Sequence, residues 1–110
     1  MKMMVSLFIK DFELGTHVSS KITEMERIVE FCDTVSDVSN DTQLIIIDID
    51  AKKSGDEDFI RQLAKKKKGV QIIGFMKFVQ KELHEKYKKA GCSIILPRSS
   101  LVKNLSSLLP

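Results

Sequence analysis

Leu44-Ile45-Ile46-Ile47-Asp48-Ile49-Asp50 is the stretch that decides the fold. Four aliphatic residues stand in a row. Three are isoleucines, β-branched and stiff at χ1, which suits a strand buried on both faces. The run is short, with Asn40-Asp41 before it and Lys52-Lys53-Ser54-Gly55 after it. It therefore fits a central parallel strand rather than a buried helix. In open α/β sheets ligands collect beyond the carboxyl ends of the central strands, so its two terminal carboxylates, Asp48 and Asp50, are the first candidates for chemistry.

Upstream, Met3 to Ile9 is almost wholly apolar and reads as an internal strand that stops at Lys10-Asp11. Leu14, Val18, Ile22 and Met25 then recur at helical spacing, which predicts an amphipathic helix through about Glu24 with Thr16 as its cap. Ile28 to Cys32 is a short strand, and Val35 and Val38 allow one or two helical turns before the central run.

Downstream, Asp56, Glu57 and Asp58 open a helix at its positive end, and Phe59, Ile60, Leu63 and Ala64 form its apolar stripe. Lys65 to Lys68 close it, and Gly69 stops it. Val70 to Phe75 is a strand, and Gln80 to Ala90 a helix with Leu83 and Tyr87 inward and Gly91 beyond its end. Cys92 to Leu96 is a strand halted by Pro97, and Ser99 or Ser100 caps a last helix carrying Leu101, Val102, Leu105, Leu108 and Leu109. Strands and helices alternate without a hairpin signal. This calls for a parallel sheet covered by helices on both faces.

The 110 residues suit one domain, 1–110, with a single core. No apolar run is long enough to cross a membrane, and the start lacks the pattern of a signal peptide, so the expected location is the cytoplasm. Cys32 and Cys92 have no metal-ligand spacing and read as small buried hydrophobes. The net charge of +3 conceals an asymmetry. Residues 1–50 carry four basic and ten acidic side chains, net −6; residues 51–110 carry fourteen and five, net +9. The cluster Lys65, Lys66, Lys67 and Lys68, with Lys86, Lys88 and Lys89, is a candidate polyanion contact. Its one nearby aromatic, Tyr87, is assigned inward, so a base-stacking platform is missing. Helix-end charge and solubility account for the lysines better than nucleic acid does.

Other candidates are weaker. His17 and His84 have no partner at ligand spacing. Ser19-Ser20 and Ser99-Ser100 lack the glycine-flanked elbow of a nucleophilic serine. Lys10-Asp11-Phe12-Glu13-Leu14-Gly15 holds one glycine and two acids, which argues against a nucleotide or flavin phosphate on the first helix.

Taken together, the apolar runs, the Asp48 strand end, Lys10-Asp11, Ile73-Gly74-Phe75 and the stretch from Gly91 to Ser100 resemble the receiver domain of two-component response regulators, across Met3 to Leu109. The resemblance implies a CheY-like, flavodoxin-like α/β three-layer sandwich with strand order 2-1-3-4-5. It puts Asp48 on the phospho-acceptor position and Asp11 on the second residue of the acidic pair. The carbonyl of Asp50 takes the place of a ligand to Mg²⁺, so Asp11, Asp48 and Asp50 form the implied metal set. Four departures accompany it. Lys10 replaces the first acid, and Phe75 or Met76 replaces the hydroxyl residue. Pro97 or Arg98 replaces the lysine, and the segment between the first and third strands is short. The resemblance is thus to a degenerate, stand-alone receiver. It implies a non-enzymatic signalling or adaptor module acting by protein–protein contact, with Asp48 unmodified and Lys10 or Arg98 balancing its charge. The contact face would involve Phe78, Val79, Leu83, Tyr87, Leu101 and Lys103, with a homodimer through that face as one form. The opposing readings are a Mg²⁺-dependent phosphoacceptor using Asp48, a nucleic-acid binder, and carboxylates that are merely solvated strand ends.

Overall fold

A computed structural model describes residues 3–109. Five strands, β1 (Met4–Phe8), β2 (Ile28–Phe31), β3 (Thr42–Asp48), β4 (Gln71–Met76) and β5 (Ile94–Pro97), form one sheet in the order β2-β1-β3-β4-β5. Every strand pair is parallel. Four helices connect or close the strands: α1 (Phe12–Glu24), α2 (Glu57–Lys66), α3 (Lys81–Ala90) and α4 (Arg98–Leu108). This is the flavodoxin-like architecture with its expected strand order.

The alternation of side chains across each strand divides the core into two layers. Leu44, Ile46, Ile73 and Phe75 pack with Val18 and Ile22 of α1 and Leu101 and Leu105 of α4. Ile45, Ile47, Ile72 and Met76 pack on the other face with Phe59, Ile60 and Leu63 of α2 and Tyr87 and Ala90 of α3. Leu44, Ile45, Ile46 and Ile47 are all fully buried, and β3 has a strand on either side. An unbroken aliphatic run is what such a central position requires, because both faces of the strand meet helices.

The segment between β2 and β3 is reduced to a single 3-10 turn, Val35–Asp37. Val38 is buried in the α2/α3 layer, with Val35 packed against it. A partly buried polar knot ties this segment to the sheet. The hydroxyls of Ser6 and Thr42 and the backbone N–H of Ser39 all donate to the carboxylate of Glu30. Burial works against the Glu30 charge, but those donors outweigh it and hold the carboxyl below its usual range.

Two helix starts differ from the sequence expectation. Asp11, not Thr16, caps α1: its Oδ1 accepts the Leu14 N–H at 3.0 Å, while the Thr16 hydroxyl donates to the Phe12 carbonyl. α4 starts at Arg98, directly after Pro97, so Ser99 and Ser100 lie in its first turn and neither caps it. Proline's fixed φ, here −66°, sets the entry without a side-chain cap. Gly91 does end α3, at φ 137°, a conformation open to glycine at little cost.

Candidate functional site

Asp48 is the last residue of β3 and is buried. In register with it stands Phe75 of β4, fully buried in the α1/α4 layer, whereas Met76 belongs to the opposite layer. Phe75 is therefore the residue beside Asp48 where the resemblance calls for a hydroxyl. Beyond Asp48 the chain turns. The Ile49 N–H still donates to the Phe75 carbonyl at 2.9 Å, and the Ile49 side chain packs over Gly74, where a Cβ would clash with it.

The Asp48 carboxylate accepts the Asp50 N–H at 2.9 Å, and the Asp48 carbonyl accepts the Ser54 hydroxyl at 2.6 Å. Burial pushes the Asp48 carboxyl above its ordinary value. The Asp50 N–H opposes this, the Asp50 carboxylate adds to it, and the Arg98 charge draws it back. The Asp50 carboxylate turns away to accept the Lys77 N–H at 2.7 Å, which pins the β3–α2 loop to the β4–α3 loop. From the other side, the buried Tyr87 hydroxyl donates to the Gly55 carbonyl at 2.6 Å.

Arg98 carries the positive charge at the end of β5, and its guanidinium donates to Oδ2 of Asp11. Both oxygens of Asp11 are thus occupied, one by the α1 backbone and one by Arg98. The Leu14 N–H and the guanidinium together hold this carboxyl below its ordinary range. The expectation that Arg98 or Lys10 balances Asp48 needs correcting on the direct partner. Arg98 bonds Asp11 and acts on Asp48 only through its field. Lys10 is exposed and makes no hydrogen bond or ion pair with the described residues.

Mg²⁺ requires oxygen ligands in near-octahedral array. The residues present do not fit it as they are arranged. The Arg98 guanidinium already neutralises Asp11, and Lys10 adds positive charge where the resemblance calls for an acid, which leaves the Asp48 carboxylate and the Asp50 carbonyl as the oxygens of the implied set not held by a cation. Among the described residues no group of three or more His, Cys, Asp or Glu side chains is placed to hold a metal ion.

The lysine cluster is partly spoken for. The Lys66 ammonium donates to the carbonyls of Val35 and Val38, and that of Lys67 to the carbonyl of Asn40, so both fasten the short β2–β3 connection. Lys65 and Lys68 are exposed. Of the expected contact face, Phe78, Val79 and Lys103 are exposed, but Tyr87 and Leu101 are core residues and cannot meet a partner. Both cysteines are buried, which raises each thiol to about 11 and leaves them unreactive near neutral pH. Among the described residues no helix is long and apolar enough to cross a membrane.

No family model matches the sequence, and no curated protein matches it. Solved structures do match the fold. A CheY-like response regulator receiver domain protein from Methanospirillum hungatei superposes with a TM-score of 0.80 at 14% identity, over 98% of this chain and 94% of that one. The chemotaxis protein CheY4 of Vibrio cholerae gives 0.80 at 16% identity, over 99% and 100%. An orphan response regulator of H. pylori gives 0.77 at 14% identity, over 98% and 97%. At such identities the likeness establishes the receiver fold alone, and the chemistry rests on the residues.

Proposed function

We propose that this chain is a receiver-like signalling or adaptor module that works through protein–protein contact, with Asp48 kept as an unmodified carboxylate. The observation that carries this reading is the Arg98–Asp11 pair. Phosphoryl transfer to a carboxylate relies on a metal and on fixed positive charge to neutralise the incoming oxygens. Here one acid of the metal set is neutralised by the protein's own guanidinium, and that guanidinium is the cation at the end of β5. Phe75 beside Asp48 offers no hydroxyl to a phosphoryl oxygen. The exposed Phe78 and Val79 just before α3, with Lys103 on α4, are the residues we assign to contact with a protein partner, as a heteromeric complex or a homodimer. Intact-mass spectrometry after incubation with acetyl phosphate and Mg²⁺ tests the reading. The expected spectrum is that of the unmodified chain; a phosphorylated species lost in the Asp48→Asn variant would replace this reading with the phosphoacceptor one.

A further inference from the structure

A second feature at the same end of the sheet does not include the Asp48 side chain. A cleft of about 190 Å³ opens between the segments that follow β1, β2 and β3. Its floor includes the buried Phe8 and Cys32, and its rim carries Lys10, Asp33, Lys52 and Lys53. Neither Asp48 nor Asp11 lines it. Strand order reverses between β1 and β3, and the crevice beside such a reversal is where open α/β sheets take ligands.

Among the described residues the cations on the rim have no direct partner. The ammonium groups of Lys10, Lys52 and Lys53 make no hydrogen bond or ion pair with the described residues, unlike those of Lys66 and Lys67. Three ammoniums against the single carboxylate of Asp33 leave two positive charges in excess around a small concavity. Asp37 lies outside the lining and feels Lys53 through its field; counting it as well still leaves a positive excess. The backbone N–H groups of Lys52 and Lys53 likewise have no acceptor among the described residues, although the same turn spends its carbonyls, Ala51 on Gly55 and Lys53 on Asp56. Excess positive charge around a concave site selects an anion. The volume is below the roughly 300–1,000 Å³ of sites for drug-sized ligands, so a dinucleotide or flavin is too large. The α1 N-terminus is not involved, because the Asp11 side chain already fills it.

We propose that this cleft binds a small dianionic phosphate, either inorganic phosphate or the phosphoryl end of a small ester whose apolar body rests on Phe8 and Cys32. Lys10, Lys52 and Lys53 neutralise the dianion, and the Asp33 carboxylate offsets one of their three charges. The ligand is recognised whole, with no bond made or broken. Because the Ser54 hydroxyl fixes the Asp48 carbonyl, occupancy of the loop that holds Lys52 and Lys53 reaches the end of β3.

The test is an amide chemical-shift titration of the full chain with inorganic phosphate and, separately, phenyl phosphate, at constant ionic strength so that screening is held fixed. Saturable shifts at Lys10, Asp33, Lys52 and Lys53 are expected. Lys10→Gln and Lys53→Gln should each weaken binding about two- to fivefold, Asp33→Asn should tighten it by a similar factor, and Lys68→Gln should leave it unchanged. Equal binding of both probes assigns inorganic phosphate, and tighter binding of phenyl phosphate assigns the ester. The proposal is overturned by shifts that stay linear with both probes, by an equal loss in Lys68→Gln, or by saturable shifts centred on Arg98. All of the substituted side chains are exposed, so the substitutions leave the fold intact.

Discussion

The guanidinium of Arg98, at the start of α4, is hydrogen-bonded to the carboxylate of Asp11, which caps α1, joining two helices through residues 87 positions apart. α1 and α4 cover the same face of the sheet, so the pair closes that layer at the end where Asp48 sits. The cation here bonds the cap of a helix and reaches Asp48 only through its field.

Removing it has a defined signature. In Arg98→Ala the Asp11 carboxyl should titrate closer to its ordinary value of 3.8, by carbon-detected NMR. A carboxyl depressed in the folded state adds stability above its unfolded value and loses it as pH falls through the folded one. The acid limb of the wild-type stability curve should therefore be steeper than that of Arg98→Ala. At pH 7 the variant should melt slightly lower, with Arg98→Lys between the two. Identical Asp11 titrations in the wild type and Arg98→Ala would contradict the pairing.

Asp48 has the opposite sign. Its carboxyl is raised in the folded state, so between the unfolded and folded values the unfolded chain ionises first and stability falls as pH rises. Asp48→Asn keeps an acceptor for the Asp50 N–H without the charge. It should raise the melting temperature at pH 7, and the gain should vanish below the carboxylate range. A variant less stable than wild type at pH 7 would mean that the charge is satisfied by something other than the residues named.

Phe75 stands beside Asp48 in place of a hydroxyl, and its ring is fully buried in the α1/α4 layer. Phe75→Thr introduces a hydroxyl at the cost of that packing. Chemical denaturation should show a loss of about 3–5 kcal/mol. Acetyl phosphate should still leave the variant unmodified, because Arg98 remains on Asp11.

Glu30 gives a purely structural control away from Asp48. Glu30→Ala takes the shared acceptor from the Ser39 N–H and leaves the Ser6 and Thr42 hydroxyls, 2.6 Å apart, only each other, and should cost about 1–3 kcal/mol in urea unfolding. Glu30→Gln keeps an acceptor but removes the titration. Stability gained from the depressed carboxyl is present above its ordinary value of 4.5 and lost as pH falls through the folded value, so Glu30→Gln should flatten that part of the curve.

The fold is legible in the sequence because its signals are local. Four aliphatic residues at Leu44 to Ile47, the helical spacing of Val18 and Ile22, and glycines after α2 and α3 each speak through their neighbours in the chain. The α1 start is harder to place, because the apolar stripe begins at Leu14, while Phe12 in the first turn is 87% exposed and adds nothing to it. The final cap is misleading because Pro97 opens α4 by its backbone rather than by a hydroxyl. The candidate site is named through the resemblance, which points to Asp11 and Asp48 and leaves Phe75 or Met76 and Pro97 or Arg98 open. Only the folded register puts Phe75 rather than Met76 beside Asp48. Likewise, only the packing of α1 with α4 joins Arg98 to Asp11. The lysines of α2 suggest a polyanion, but no local pattern announces that Lys66 and Lys67 close the β2–β3 connection.

The most direct measurement is an amide chemical-shift titration of the wild-type chain with Mg²⁺ and beryllofluoride, a stand-in for a phosphoryl group on a carboxylate. No saturable change is expected at Asp48, Phe75 or Arg98, and the Asp11 carboxyl should stay bonded to Arg98 throughout. Saturable shifts at Asp48 accompanied by release of Arg98 from Asp11 would show instead that the pocket still takes a phosphoryl group.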